Sequence, residues 1–413
     1  MRRLAALLTL AGLAALAGAL AGCGGRFQLP TESRVLVIPG DSTYQMQATW
    51  TGMDGIQDVL LTQGIGQQLF LLFNYDQDHL RATTDPRGEV WAYARLWSPK
   101  AGGSTTPPRL PITFNQLFSP WALCVGGDAA GGSANRIFVL DQGDTTLARV
   151  NPITGIYGDT TGCMTQTSPI YGKIENVAYP NLYWRVREYT LLGGDTLETF
   201  SDTSMAYANG IAADPQGRLY VSGAAIIWVD TPTGKERHFL WRIYRYLRGP
   251  KYPGIPDANI TPRGTWHRDS TWWVQDGSGV GSVADPRGLY WGGGGSGALY
   301  VADMAKNWVQ KLSDLTASTG YWMVDGKTAP EPQGLVGPAD IVADLQGFTY
   351  VADTGNQRVL RYDEFGNFVQ VVTLEKDAAK QAFVNPVAVA ADDSLVFVGD
   401  PGLKEVIRYK RRK

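Results

Sequence analysis

The feature that most constrains this chain is a spacing that recurs along it. Gly, an aromatic residue three positions later, Val at the fourth and Asp at the sixth occur as Gly347, Tyr350, Val351, Asp353 and as Gly297, Tyr300, Val301, Asp303. Looser copies are Asn135, Phe138, Val139, Asp141 and Ser394, Phe397, Val398, Asp400, while Gly217, Tyr220, Val221 continues to Gly223 and Gln67, Phe70, Leu71 is a faint echo. Counted from the Asp, an apolar residue, a cation and an apolar or aromatic residue follow at six, eight and nine positions. The sets are Val359, Arg361, Tyr362; Val406, Arg408, Tyr409; Val309, Lys311, Leu312; and Leu147, Arg149, Val150. Short apolar runs bounded by Gly, Asp and Asn read as strands joined by turns. A unit of about 45 residues that cannot bury a core alone must stack against copies of itself. Six units fall at about 54–97, 120–158, 205–274, 281–325, 337–373 and 385–410. The last offers three strands, and the isolated apolar run Arg34–Ile38 is expected to supply the fourth, which removes an open sheet edge. A seventh blade around 174–200 is the alternative.

The run Asp344 to Gly347, Tyr350-Val351-Ala352-Asp353 and Asn356-Gln357-Arg358-Val359 resembles the NHL repeat. The match is fullest over 337–372, good over 281–312 and 385–409, and diffuse before 200. This resemblance implies an all-β, six-bladed β-propeller with four-stranded antiparallel blades, whose innermost strands line a channel that takes ligands at one mouth.

The first residues read as an address. Met1-Arg2-Arg3 is a cationic start, Leu4 to Leu20 is uncharged and apolar, and Leu20-Ala21-Gly22-Cys23 follows. That order resembles a bacterial lipobox, which implies cleavage before Cys23 and acylation of its thiol (palmitate among the chains). Residues 1–22 are then a lipoprotein signal peptide, 23–33 a lipidated tether and 34–413 one propeller domain with an insertion around 224–280. Several acyl chains hold a protein on a membrane where one is marginal. Gly24, in the place where Asp would signal inner-membrane retention, favours the outer membrane of the cell envelope.

Channel-lining candidates at the start of the innermost strands are Asp58, Asn209, Ser282, Asp340 and Asn385, with Trp121 beside them. Asp340 is the candidate metal ligand if there is one, because a carboxylate in a channel needs a partner or an ion; Ca2+ is the cation considered, and capping of a local turn is the alternative. Asp214, Asp285 and Asp344 read as turn formers, and the repeated Asp and cation sets as blade-internal ion pairs or caps. Gly292 to Gly295 lacks the Lys-Ser/Thr of a phosphate loop and reads as a hairpin. Cys124 and Cys163 form a disulfide or remain two thiols. The Trp and Tyr surplus crowds the insertion, where Trp266, Trp272 and Tyr252 are candidates for a protein or glycan surface.

Composition limits the chemistry. With 3 His and 3 Cys in 413 residues, a His-based or Cys-based metal site has little material. A net charge of −2 gives no nucleic-acid footprint, and the closing run Lys410 to Lys413 reads as a solvated tail. Propellers of this type include enzymes. By resemblance, amidating lyases need several channel His, and lactonase-like or streptogramin-lyase-like propellers need channel His or Glu with a divalent cation. His79, His238 and His267 fall away from the expected channel. The expectation is therefore a monomeric, membrane-anchored binding or scaffolding module without a cofactor, the alternative being a cation-dependent hydrolase or lyase at the channel mouth.

Overall fold

In the computed structural model the chain divides into two units, Met1–Gly40 and Asp41–Lys413, and the second carries the described structure. Residues 44–62, 68–75, 88–95, 108–115, 117, 119–126, 136–142, 184–202, 204–232, 234–249, 266–292, 297–313, 320–325, 334–372 and 383–411 are described. Cys23 and the signal-like segment lie outside them.

Strand β1 (Tyr44–Thr51) comes first. Blade one holds β2 (Ile56–Leu61), β3 (Gln68–Asn74) and β4 (Gly88–Ala94); blade two holds β5 (Pro120–Gly126), β6 (Arg136–Asp141), β7 (Arg185–Thr190) and β8 (Gly193–Phe200). Blade three holds β9 (Met205–Ala213), β10 (Leu219–Thr231), β11 (Gly234–Arg248) and β12 (Trp266–Asp276), with the two-residue β13 (Ser282–Val283) added in parallel. Blade four is β14 (Pro286–Gly292), β15 (Ala298–Asp303), β16 (Trp308–Ser313) and β17 (Gly320–Asp325). Blade five is β18 (Pro338–Ala343), β19 (Thr349–Asp353), β20 (Arg358–Tyr362) and β21 (Phe368–Val372). Blade six is β22 (Ala388–Ala391), β23 (Leu395–Asp400) and β24 (Glu405–Arg411), completed by β1. The innermost strands touch in the closed cycle β2, β5, β9, β14, β18, β22 and back to β2. This is a six-bladed β-propeller.

Each blade is apolar on both faces, which is why its strands read as unbroken hydrophobic runs. In β3, Leu69, Leu71 and Phe73 pack with Trp50 and Phe397 of blade six, while Phe70 and Leu72 pack with Leu123, Ile137 and Val139 of blade two. The described core is six such wedges, one at each blade junction.

Three expectations are corrected and a fourth is narrowed. The ring is closed by an N-terminal strand, but it is Tyr44–Thr51 that pairs with β24; residues 34–38 lie outside the described chain. Residues 185–200 are the third and fourth strands of blade two, so no seventh blade forms there, and Leu147, Arg149 and Val150 do not supply the strand beside β6. Lys410 and Arg411 belong to β24 and pair with Gln45 and Tyr44, so these two residues of the basic run are strand and not tail. Of its two readings, the repeated Asp takes that of a cap. Asp141, Asp303, Asp353 and Asp400 are wholly buried and accept N–H groups of the loop entering their own blade: Ser119, Ala284, Val336 and Val384 at 2.7–2.8 Å. The cation instead faces the repeat's aromatic across the sheet, as Tyr350 opposite Arg361, Tyr300 opposite Lys311 and Phe397 opposite Arg408.

In blade three, β10 and β11 outrun their neighbours. Their pairing continues from Ile226–Phe239 to Thr231–Gly234, past the last β9 partner at Ala225, so the first part of the insertion is a two-stranded ribbon.

Trp50 is fully buried, with ring centroids 5.5 Å from Tyr93 and 5.9 Å from Phe397. It joins the closing strand to both blades that meet there. Trp50→Ala is expected to lower the unfolding free energy by about 3–5 kcal/mol, measured by denaturant titration.

Candidate functional site

The innermost strands start alike. A register shift at Ile56/Asp58, Pro120/Ala122, Pro286/Gly288 and Pro338/Asp340 marks a β-bulge at the head of the strand, and β9 carries one at Asn209. A bulge re-aims the extra side chain. Gln57, Trp121, Asn209, Arg287 and Ala339 all line one cavity, the central channel, together with Val387 of blade six. Its volume is about 800 Å³, and all six innermost strands contribute to it.

The residue after the bulge points at the next blade. At Gly210 a Cβ would stand 2.3 Å from the carbonyl oxygen of Arg287, and at Gly288 it would stand 2.6 Å from the Cα of Asp340. Only glycine permits that approach. In blades one and five the same position is Asp58 and Asp340, and the carboxylates bridge the seam. Asp58 accepts the N–H of Val59 and, across the seam, that of Leu123, both at 2.7 Å. Asp340 accepts Ile341 and, across its seam, Val389, both at 2.8 Å.

A second layer of cross-seam bonds runs beside them. Asn74 donates to the carbonyl of Pro120 at 3.3 Å, Gln142 to Ala208 at 2.8 Å, Ser222 to Pro286 at 2.9 Å and Thr354 to Pro386 at 2.6 Å. Asp285 accepts Asn209 at 3.1 Å and pairs with Arg287 at 3.1 Å, so it orders two channel-lining side chains and is not the turn former expected. Asp214 and Asp344 are turn formers, accepting Arg218 and Phe348 N–H groups at 2.8 and 2.9 Å.

Burial makes the channel carboxyls weaker acids. Asp58 is pushed up to about 6 by desolvation against its two amide bonds. Asp340 is pushed well above the carboxylate range by desolvation and then by the charge of Asp58. Cys124 also lines the channel, its thiol raised by burial and by Asp58. It has no disulfide partner among the described residues, and Cys163 lies outside them.

Asp58, Asn209, Asp340 and Asn385 thus meet on one cavity wall. Ser282 does not: it sits in β13, where its hydroxyl takes the Lys306 ammonium at 2.8 Å. Trp272 is buried against Tyr220 and Trp266 stacks on Phe200 beneath Arg248, so neither offers an open face; Tyr252 lies outside the described residues. Arg287 and Tyr290 were missed, although Pro-x-Gly/Asp at 286–288 and 338–340 marks the bulge. His267 contacts the Gly249 carbonyl, away from the channel. No group of three His, Cys, Asp or Glu among the described residues is placed to hold a metal ion. With both oxygens of Asp58 and of Asp340 engaged by amides, the described channel does not fit a Ca2+ site, which needs six to eight oxygens.

No protein-family model matches the chain and no curated protein does. Among solved structures it is similar to virginiamycin B lyase from Staphylococcus aureus, at 10% identity over 89% of this chain and 99% of that one, with a TM-score of 0.43. It is similar also to a luciferin-regenerating enzyme, at 12% over 88% and 95%, TM-score 0.44. A third is a candidate gluconolactonase, at 13% over 90% and 93%, TM-score 0.46.

Because folding raises the Asp58 carboxyl from its ordinary 3.8 to about 6, the folded state favours the protonated form. Its contribution to stability is complete below about pH 4 and is lost as pH rises through about 6. Asp58→Asn cannot ionise. Its unfolding free energy relative to wild type is expected to climb by about 1–3 kcal/mol from pH 4 to 7 and then level off, whatever constant cost the lost acceptor adds. Thermal unfolding of both proteins across that range checks the slope.

Proposed function

We propose that this chain is a binding module, an NHL-like propeller carried at a membrane surface by acylation of Cys23, which takes a small organic ligand into its channel. One observation carries the reading: a cavity of about 800 Å³ lined by six innermost strands, with a few polar side chains among many apolar ones. A few placed polar groups on an apolar concave wall are what fix a small ligand in orientation. The described channel residues do not favour the cation-dependent hydrolase or lyase, because their carboxylates are engaged in holding blades together. A protein or glycan partner on the rim is compatible with this reading, and such a partner is proposed without assigning it residues.

Ala339 lines the channel with a short side chain. In a thermal-shift screen against a small-molecule library, compounds that raise the midpoint of wild type are expected to lose that effect in Ala339→Trp, whose own midpoint stays within a few degrees. Equilibrium dialysis that finds one tightly held divalent ion, lost in Asp340→Ala together with a hydrolytic activity, would replace the binder by the enzyme. The anchor is tested separately. Cys23→Ser is expected to leave the protein in the soluble fraction after a high-salt wash, whereas wild type sediments with membranes.

A further inference from the structure

Four charged side chains stand on the described channel wall: Asp58, Asp214, Arg287 and Asp340. Two of them are neutralised locally, Asp214 by Arg218 and Arg287 by Asp285. Asp58 and Asp340 are not. The partners of their oxygens are backbone amides, which carry no net charge. Asp58 and Asp340 are half-buried as residues, and both line the same lumen. They come from blades one and five, and blade six, which lies between, carries only Ala388 at the following strand head.

A second observation bears on the same space. Trp121, Tyr290 and Trp291 line the cavity as half-buried residues, Trp291 with one face stacked on Tyr220. Aromatic faces attract a cation, most of all where water is excluded. Carboxylates without a cationic side chain, set among aromatic and aliphatic walls, suit a charge carried on an organic skeleton. A divalent metal would need more oxygen ligands than this wall has to give.

We propose that the channel ligand is an organic amine whose ammonium group lies against Asp58 and Asp340 while its apolar part rests on the rings of Trp121, Tyr290 and Trp291. This rests on the channel-binding reading above and adds the charge of the ligand to it. The upward displacement of both carboxyls by burial, and of Asp340 by the charge of Asp58 as well, agrees with it, since an ammonium in that place relieves the repulsion.

The test uses three molecules of one shape: phenethylamine, phenethyl alcohol and 3-phenylpropionate, titrated calorimetrically into the protein at pH 7.5. The amine is expected to bind about tenfold or more tightly than either of the others, and Ala339→Trp is expected to abolish its binding. In Asp58→Asn/Asp340→Asn the preference for the amine is expected to fall below about threefold. Should that double variant not fold, the ranking of the three molecules on wild type decides alone. Equal or tighter binding of the alcohol or the acid overturns the amine and leaves channel binding standing. If none of the three binds while library hits sensitive to Ala339→Trp are neutral or anionic, the amine is again overturned. If neither the three molecules nor any library compound binds, both readings fall together.

Discussion

Everything in this molecule depends on how closely six innermost strands can approach around one axis. The approach is backbone to backbone, as Gly210 against the Arg287 carbonyl and Gly288 against the Asp340 Cα demonstrate. Strands that near one another leave peptide groups facing across each seam, and a peptide group removed from water needs a partner. The seams answer with side chains that reach over: Asp58 to Leu123, Asp340 to Val389, and the Asn74, Gln142, Ser222 and Thr354 bonds to the carbonyls beyond. Wedges of apolar side chains then fill the widening space outward. A blade taken alone would expose two apolar faces, so the ring is the smallest folding unit.

The same geometry explains what was readable. An aromatic-Val-x-Asp strand, with both faces buried, cannot be disguised by substitution, and blades four to six were therefore legible residue by residue. Offsets fail when chain is inserted between paired strands. In blade two the partner of β6 begins at Arg185, well past the expected Leu147, and there Glu188 stands where blades three to six have a cation. Glu188 is tied to Arg136 and Arg248, a local solution that no repeat could announce. Ser282 was misplaced because its Gly-Ser-Val run resembles a strand head, while the actual head, Pro286-Arg287-Gly288, follows it. Trp272 and Trp273 show the limit of composition: adjacent in one strand, the first is buried and the second is 47% exposed.

The candidate site follows from departures within the repeat. Position by position, the strand heads are equivalent, yet the bulged residues are Gln, Trp, Asn, Arg and Ala, and the residue after them is Asp in two blades and Gly or Ala elsewhere. A scaffold of near-identical parts thus surrounds a lumen with no symmetry of its own. Recognition needs that unevenness, because a ligand can be oriented only by a wall whose sides differ.

The closing strand has a kinetic meaning. Thr51 pairs with Glu405, 354 positions further along the chain, and contacts of such separation are slow to form because chain entropy is lost before they stabilise anything. The five other seams join blades that are neighbours in sequence, so they bring the two ends within reach before the last seam can shut. Trp50 and its surroundings therefore belong to the end of folding. Interactions made after the main barrier govern how fast a protein comes apart more than how fast it assembles. The lifetime of the closed ring, and with it the persistence of the channel, rests on the one seam where the first and last strands meet.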